Sequence, residues 1–147
     1  MFISSDTNVW IDFYEIGHID HPFRLDFEYF ISRDTFQDEF IKSESMKTNL
    51  LKLGLQLADV TDDEFMQAIS FQSRYTKLSL YDTLALSIAK AGGWTLLTGD
   101  MPLRMAAAKE GVEVHGTIWV YDQLKTQGKI TDDEYETVIG ELIEAVK

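Results

Sequence analysis

Two short apolar runs in this chain each lead into an aspartate: FISS carries Phe2–Ser5 to Asp6, and WTLLTGD carries Trp94–Thr98 to Asp100. Around them, strand-like runs alternate with helical periodicities along the whole sequence. That alternation restricts the fold more than any other feature. A chain that returns through a helix after each strand builds parallel pairs, and a parallel sheet must be covered on both faces. The expected class is α/β with a mostly parallel sheet between helical layers. At 147 residues the chain is long enough for one domain, 1–147, with a sizeable core.

The spacing predicts a strand at Phe2–Ser5, a helix over about 8–16 stopped by Gly17, and a loop over 18–26 containing Pro22. A strand follows at Tyr29–Ser32, after which Asp34 or Thr35 is placed to cap a helix with Phe36, Phe40 and Ile41 on one face. Leu53–Val60 reads as a third strand. Thr61-Asp62-Asp63-Glu64 and Ser79-Leu80-Tyr81-Asp82 have the form of capping boxes. They open helices to about Tyr75 and Ala91, the second terminated by Gly92-Gly93. Trp94–Thr98 is β-rich and bounded by glycines. Pro102 lies in the first turn of a helix to Glu110, Val112–His115 is a last short strand, and helices at Ile118–Thr126 and Asp133–Val146 complete the order.

The chain has no cysteine, so neither a disulfide framework nor a thiolate metal site is available. No run approaches the roughly 18 apolar residues of a membrane span, and no signal-peptide pattern opens the sequence. A cytoplasmic protein without membrane association is therefore expected. The net charge of −12 argues against extensive phosphate contact, which depends on Lys and Arg. The charge is uneven, however. Residues 72–110 carry 3 acids and 5 bases, so any polyanion must be met locally, through residues such as Arg74, Lys77 and Arg104, or through bound cations.

Ligands of open parallel sheets bind outside the carboxyl ends of the strands. Asp6 and Asp100 are expected at two such ends, Asp82 in the first turn of the helix before the Asp100 strand, and Glu39 about two helical turns beyond the second strand. Four carboxylates meeting there would repel one another unless a cation neutralised them. An oxygen-only set favours Mg²⁺ or Mn²⁺ over zinc, and such an ion activates water and stabilises the charge of a phosphodiester under attack. Each acid also has a plain structural role. Asp6 and Asp100 are placed as helix N-caps, worth about 0.5–2 kcal/mol each, and Asp82 completes a capping box. Asn8 and Thr98 suit local turns. The two kinds of role are compatible, since a capping carboxylate can still bind metal. His18, His21 and His115 lack metal-ligand spacing and read as surface or structural residues. Trp94, Trp119 and Tyr121 can stack bases but occupy positions suited to the core. Arg104, one turn past Asp100, is open to two roles, pairing with a site carboxylate or meeting a phosphate.

The ordered set Asp6-x-Asn8, Glu39-Phe40, Leu80-Tyr81-Asp82-x-Leu84-Ala85-Leu86 and Leu96-Leu97-Thr98-Gly99-Asp100 resembles the PIN domain, the small metal-dependent ribonucleases that include VapC-type toxins. The downstream run Arg104, Ala107, Gly111, Val114 and Gly116-Thr117 resembles one of its subgroups. The resemblance implies a Rossmann-like three-layer α/β/α sandwich and cleavage of single-stranded or structured RNA. It implies Mg²⁺ or Mn²⁺ held by Asp6, Glu39, Asp82 and Asp100, with Asn8, Thr98 and Arg104 binding substrate. A homodimer and an antitoxin protein partner belong to the same expectation. Asp38 and Glu39 are adjacent, and Glu39 is preferred as the second acid because apolar Phe40 follows it. Two alternatives stand beside this. A haloacid-dehalogenase-like phosphohydrolase wants a second aspartate where Asn8 stands and Thr or Val at Trp10; a catalytically silent PIN-like module would act only through a partner.

Overall fold

The computed structural model describes residues 1–40 and 43–145. Its strands are β1 (Phe2–Ser5), β2 (Glu28–Ser32), β3 (Gln56–Ala58), β4 (Thr95–Leu97) and β5 (Val114–His115). They pair in parallel throughout, in the order β3-β2-β1-β4-β5. The helices are α1 (Thr7–Glu15), α2 (Arg33–Glu39), α3 (Glu44–Leu53), α4 (Asp62–Arg74), α5 (Leu80–Gly92), α6 (Met101–Lys109), α7 (Thr117–Thr126) and α8 (Asp132–Ala145). The chain lays β2 and β3 outward on one side of β1, then crosses to place β4 and β5 on the other. The strand order therefore reverses between β1 and β4, where Ser5 lies opposite Leu97. In a doubly wound sheet such a reversal leaves a crevice beyond the strand ends.

The two-residue period of a strand sorts side chains between the layers. Leu97 joins Ile3, Trp10, Val120 and Leu124 on the face covered by α1 and α7. Its neighbour Leu96 joins Phe71, Leu86, Leu103 and Ala107 on the face covered by α4, α5 and α6. Ser4 also turns to the second face, where its hydroxyl donates to the Ala85 carbonyl at 2.8 Å. This is the three-layer α/β/α arrangement expected for the chain.

Aromatic rings fill the first face. Trp10 has no exposed surface, stacks on Phe23 at 5.4 Å, meets Tyr29 edge-on at 5.4 Å, and donates from Nε1 to the Ser5 hydroxyl at 2.9 Å. The Tyr29 hydroxyl donates to the Pro22 carbonyl at 2.8 Å. These contacts hold the segment read as loop, which contains a single 3-10 turn at His21–Arg24.

Several boundaries differ from expectation. The cap of α2 is Ser32, the last residue of β2, whose hydroxyl accepts from the Thr35 amide at 3.0 Å; neither Asp34 nor Thr35 caps it. Phe36 and Phe40 pack together at 5.4 Å, while Ile41 lies outside the described residues. Helix α3 was not anticipated. It takes Leu53 from the expected third strand, ends at Gly54 with φ 126°, and leaves only Gln56–Ala58 extended. The expected end of the last helix, Val146, also lies outside the described residues. Among those residues, no helix is long and apolar enough to cross a membrane.

Removing the fully buried indole leaves a cavity that the surrounding rings cannot close. Trp10→Ala is expected to cost about 3–5 kcal/mol in chemical denaturation, much of the stability of a typical domain. A loss under about 1 kcal/mol would show that the aromatic cluster does not anchor the first face.

Candidate active site

Asp6 directly follows β1 at the strand reversal and is only 5% exposed. One carboxylate oxygen, Oδ1, accepts from the Val9 amide at 3.1 Å and so caps α1. The other accepts from the hydroxyl of Thr98, the fully buried residue that follows β4. The same Thr98 oxygen accepts from the Asp100 amide at 3.1 Å. One hydroxyl therefore fixes both strand-end acids relative to each other. Asp100 caps α6 by accepting from the Leu103 amide at 3.1 Å through Oδ2. Asp82 and Ser79 exchange hydrogen bonds of 3.0 and 3.1 Å in a complete capping box at the start of α5. Each structural role foreseen for these acids is realised, and the three helix starts converge on one crevice.

The electrostatics record that convergence. Burial pushes the Asp6 carboxyl up from 3.8 to about 6, and the charges of Asp82 and Asp100 push it the same way. The bonds from Thr98 and the Val9 amide oppose the rise without cancelling it. Asp6 is thus a buried acid with negative neighbours and, among the described residues, no cation beside it.

Of the adjacent acids on α2, Glu39 accepts from the Thr7 hydroxyl at 2.7 Å, which places it beside the residue following Asp6. Asp38 accepts from Tyr81 at 2.7 Å, next to Asp82. Both therefore reach the rim, Glu39 on the α1 side and Asp38 on the α5 side. Thr7 and Tyr81, which position them, were not singled out from sequence; their only signal there is adjacency to Asp6 and Asp82.

Asn8 is exposed and borders, with Asp100 and Arg104, a cavity of about 640 Å³. Arg104 donates to the Thr98 carbonyl at 3.3 Å, and among the described residues it forms no ion pair with Asp100. Its guanidinium lies over Gly116, where an added Cβ would come within 2.7 Å of Nη1. Arg74, expected to be available to a polyanion, is instead 3.0 Å from Glu110.

The expectation that the histidines lack ligand spacing needs correcting for His18 and His21, while the structural role expected of them stands. The 3-10 turn brings donor atoms of His18, Asp20 and His21 within 4.8 Å of one another, whereas no three of the four crevice acids form such a group among the described residues. Distance alone does not make the histidine group a metal centre. The His18 and His21 rings are stacked at 4.2 Å and 7°, so their in-plane lone pairs run parallel instead of meeting at one ion. His21 Nδ1 is also engaged by the Tyr121 hydroxyl at 2.9 Å. The geometry is that of a buried structural histidine.

A family model described as a PIN domain matches residues 2–146. The chain belongs to the PIN domain family. Among solved structures, the chain is similar to the crystal structure of FitAcB from Neisseria gonorrhoeae, with 17% identity over 78% of this chain and 96% of that one and a TM-score of 0.46. No curated protein matches the chain significantly. PIN domains are generally nucleases, which sets the reaction class to be considered for the crevice. The haloacid-dehalogenase alternative falls with the family assignment, and Trp10, out of place in that pattern, belongs here to the core.

The raised pKa of Asp6 has a defined consequence for stability. An acid whose pKa is higher folded than unfolded favours folding while protonated, and that contribution fades as pH rises from about 4 through about 6. Asp6→Asn keeps an acceptor for the Val9 amide but removes the charge. It is expected to stabilise the metal-free PIN domain by about 1–3 kcal/mol at pH 7–8, with the gain vanishing toward pH 4. Urea titrations at three pH values measure this. A variant less stable than the parent at pH 7 would mean that the cap outweighs the charge.

Proposed function

We propose that this PIN domain is a metal-dependent endoribonuclease that cleaves phosphodiester bonds in single-stranded RNA or in the accessible segments of structured RNA. One observation carries the reading: a buried Asp6 carboxylate, facing Asp82 and Asp100 at the strand reversal, has no cationic partner among the described residues. Asp6, Asp82, Asp100 and Glu39 supply only oxygen donors, as Mg²⁺ or Mn²⁺ requires. Mg²⁺ retains several waters and needs only one or two direct carboxylates, so acids spread around a crevice suit it. The ion, when bound, supplies charge neutralisation and a water of lowered pKa.

The protein's own groups do the rest. Thr98 orients Asp6 by its donated hydrogen bond and holds the Asp100 backbone through the same oxygen. Thr7 holds Glu39 at the rim. Arg104 presents its guanidinium to a substrate phosphate at the edge of the cavity, and the exposed Asn8 amide bonds the nucleotide backbone. A homodimer, a cytoplasmic location and a separate antitoxin protein complete the proposal. The antitoxin would place a basic segment over the acids, because Arg and Lys complement that charge.

Incubation of the purified protein with mixed RNAs tests the reading. Cleavage is expected with Mg²⁺ or Mn²⁺ and is lost in EDTA. Asp82→Asn and Asp100→Asn each lower the rate on the order of 100-fold or more, while both variants stay folded. Cleavage that persists in EDTA, or Asn variants that remain fully active, would leave the acids as helix caps and favour a silent binding module.

Arg104 gives a separate measure. With two or three phosphates contacted, log affinity for single strands falls with log salt at a slope of about −0.7 per contact. Arg104→Ala should make that slope shallower by about 0.7 for every RNA sequence and leave Mn²⁺ binding unchanged. An unaltered slope would place the phosphate elsewhere.

A further inference from the structure

We propose that the cavity beside the carboxylates is a nucleobase subsite, in which Asp12 reads the Watson–Crick edge of a guanine laid against the His115 ring. This rests on the RNA-cleavage reading above. The cavity, about 640 Å³, is walled by Asn8, Asp12, Asp100, Arg104, His115 and Ile143, among others. Its volume falls within the range of small-molecule sites. Asn8, Asp100 and Arg104 belong both to it and to the proposed cleavage site. A nucleotide whose phosphate meets Arg104 therefore has this space in front of its base.

Two features of the wall fit a base. Phe27 stacks on Trp119 at 5.7 Å and 11°, and Trp119 stacks on His115 at 4.3 Å and 5°. The His115 side chain remains 30% exposed. It offers a planar group the next place in the stack, as aromatic side chains do for unpaired RNA bases. Exposed Ile118 and Ile143 give the cavity an apolar side that a base tolerates and a phosphate does not.

Asp12 supplies the reading group. It lies one helical turn after Asn8 on α1, half-buried, and among the described residues its carboxylate has neither a hydrogen bond nor an ion pair. Burial raises its pKa, with Glu15 adding to the rise, as expected of a partly desolvated acceptor that lacks donors. Guanine presents adjacent N1–H and N2–H donors that match two carboxylate oxygens. Adenine and cytosine offer one amino group beside an acceptor, and uracil one N–H flanked by carbonyls, so a carboxylate should rank guanine first. An arginine side chain carries a similar pair of donors and is the rival occupant. Arg104 on the same wall disfavours a second guanidinium but favours a base joined to its phosphate.

The test maps cleavage sites in a random single-stranded RNA pool. In parallel, it measures binding of pentaribonucleotides differing at one base, by fluorescence anisotropy in EDTA so that nothing is cut. Guanine should be enriched at one position beside the cut, and one guanine-bearing pentamer should bind best. Asp12→Ala and Asp12→Asn should each reduce both preferences about tenfold, and His115→Ala should weaken binding of every pentamer. Cleavage without base preference, unchanged in the Asp12 variants, overturns the subsite and leaves the nuclease reading intact. Guanine-selective binding through Asp12 without any cleavage keeps the subsite and removes the nuclease. If the Asp12 variants lose affinity only for an arginine-bearing peptide, the cavity serves a protein partner and the subsite is wrong.

Discussion

A negative charge buried where a parallel sheet reverses its strand order is the constraint to which the surrounding structure responds. Asp6 has lost nearly all contact with water, and the described residues give it hydrogen bonds but no cation. Thr98 is the pivot of that response. Its hydroxyl donates to Asp6 and accepts from the Asp100 amide, and its carbonyl accepts from Arg104. The residue after β4 thereby links the acid after β1, the start of α6 and Arg104, which borders the cavity. The link to Asp6 depends on the register that sets Ser5 opposite Leu97, whereas the other two lie within residues 98–104. A slip of one residue would turn Thr98 away and leave one buried oxygen of Asp6 without a donor, the Val9 amide still bonding the other, at a cost above that of one surface hydrogen bond.

The same arrangement removes the conflict between capping and chemistry. Asp6, Asp82 and Asp100 stand at the starts of α1, α5 and α6, where unpaired amides and the helix dipole present a positive end equivalent to about half a charge. Three such ends aimed at one crevice make it tolerable to gather carboxylates there without a metal. Each helix uses only part of a carboxylate's capacity. Asp82 and Asp100 each accept through Oδ2 alone among the described residues, which leaves Oδ1 for another partner. A cap is thus a way of aiming an acid as well as satisfying a helix.

How much of this was legible in the sequence follows from which interactions are local. The strand-end aspartates, the Ser79 and Thr61 capping boxes and the glycine stop after α5 are set within four residues, and all were readable. Helix α3 was not. Its buried contacts reduce to Met46 and Leu50, and Leu53 was claimed by an apolar run that reads equally well as strand. The cap of α2 was misplaced because Ser32 serves both the strand and the helix, whereas pattern reading expects a loop between them. The pairing of Asp38 with Tyr81 and of Glu39 with Thr7 spans 43 and 32 residues, so adjacency in sequence could not show that both acids face the rim from different sides. The approach of His18 to His21 needed a 3-10 turn that a Pro22 loop only hints at.

Charge was the least legible property, because composition counts residues and structure pairs them. The basic segment 72–110 carries five cations, yet Arg74 and Lys90 both close on Glu110, at 3.0 and 2.7 Å, with Tyr75 donating to the same carboxylate. The hydrogen bonds from Lys90 and Tyr75, with the charges of Lys90 and Arg74, hold its pKa below the usual range against the upward push of burial, so the cluster stays charged and closed. It ties α4 and α5 to the end of α6 and is not available to a polyanion. Of the cations on that segment, Arg104 alone lines the cavity at the strand reversal. An acidic chain that handles RNA through this crevice must then rely on few phosphate contacts and on what the bases offer. On the proposed reading, the cavity wall, with its aromatic stack and an Asp12 unpaired among the described residues, would matter more here than in a protein that grips the backbone.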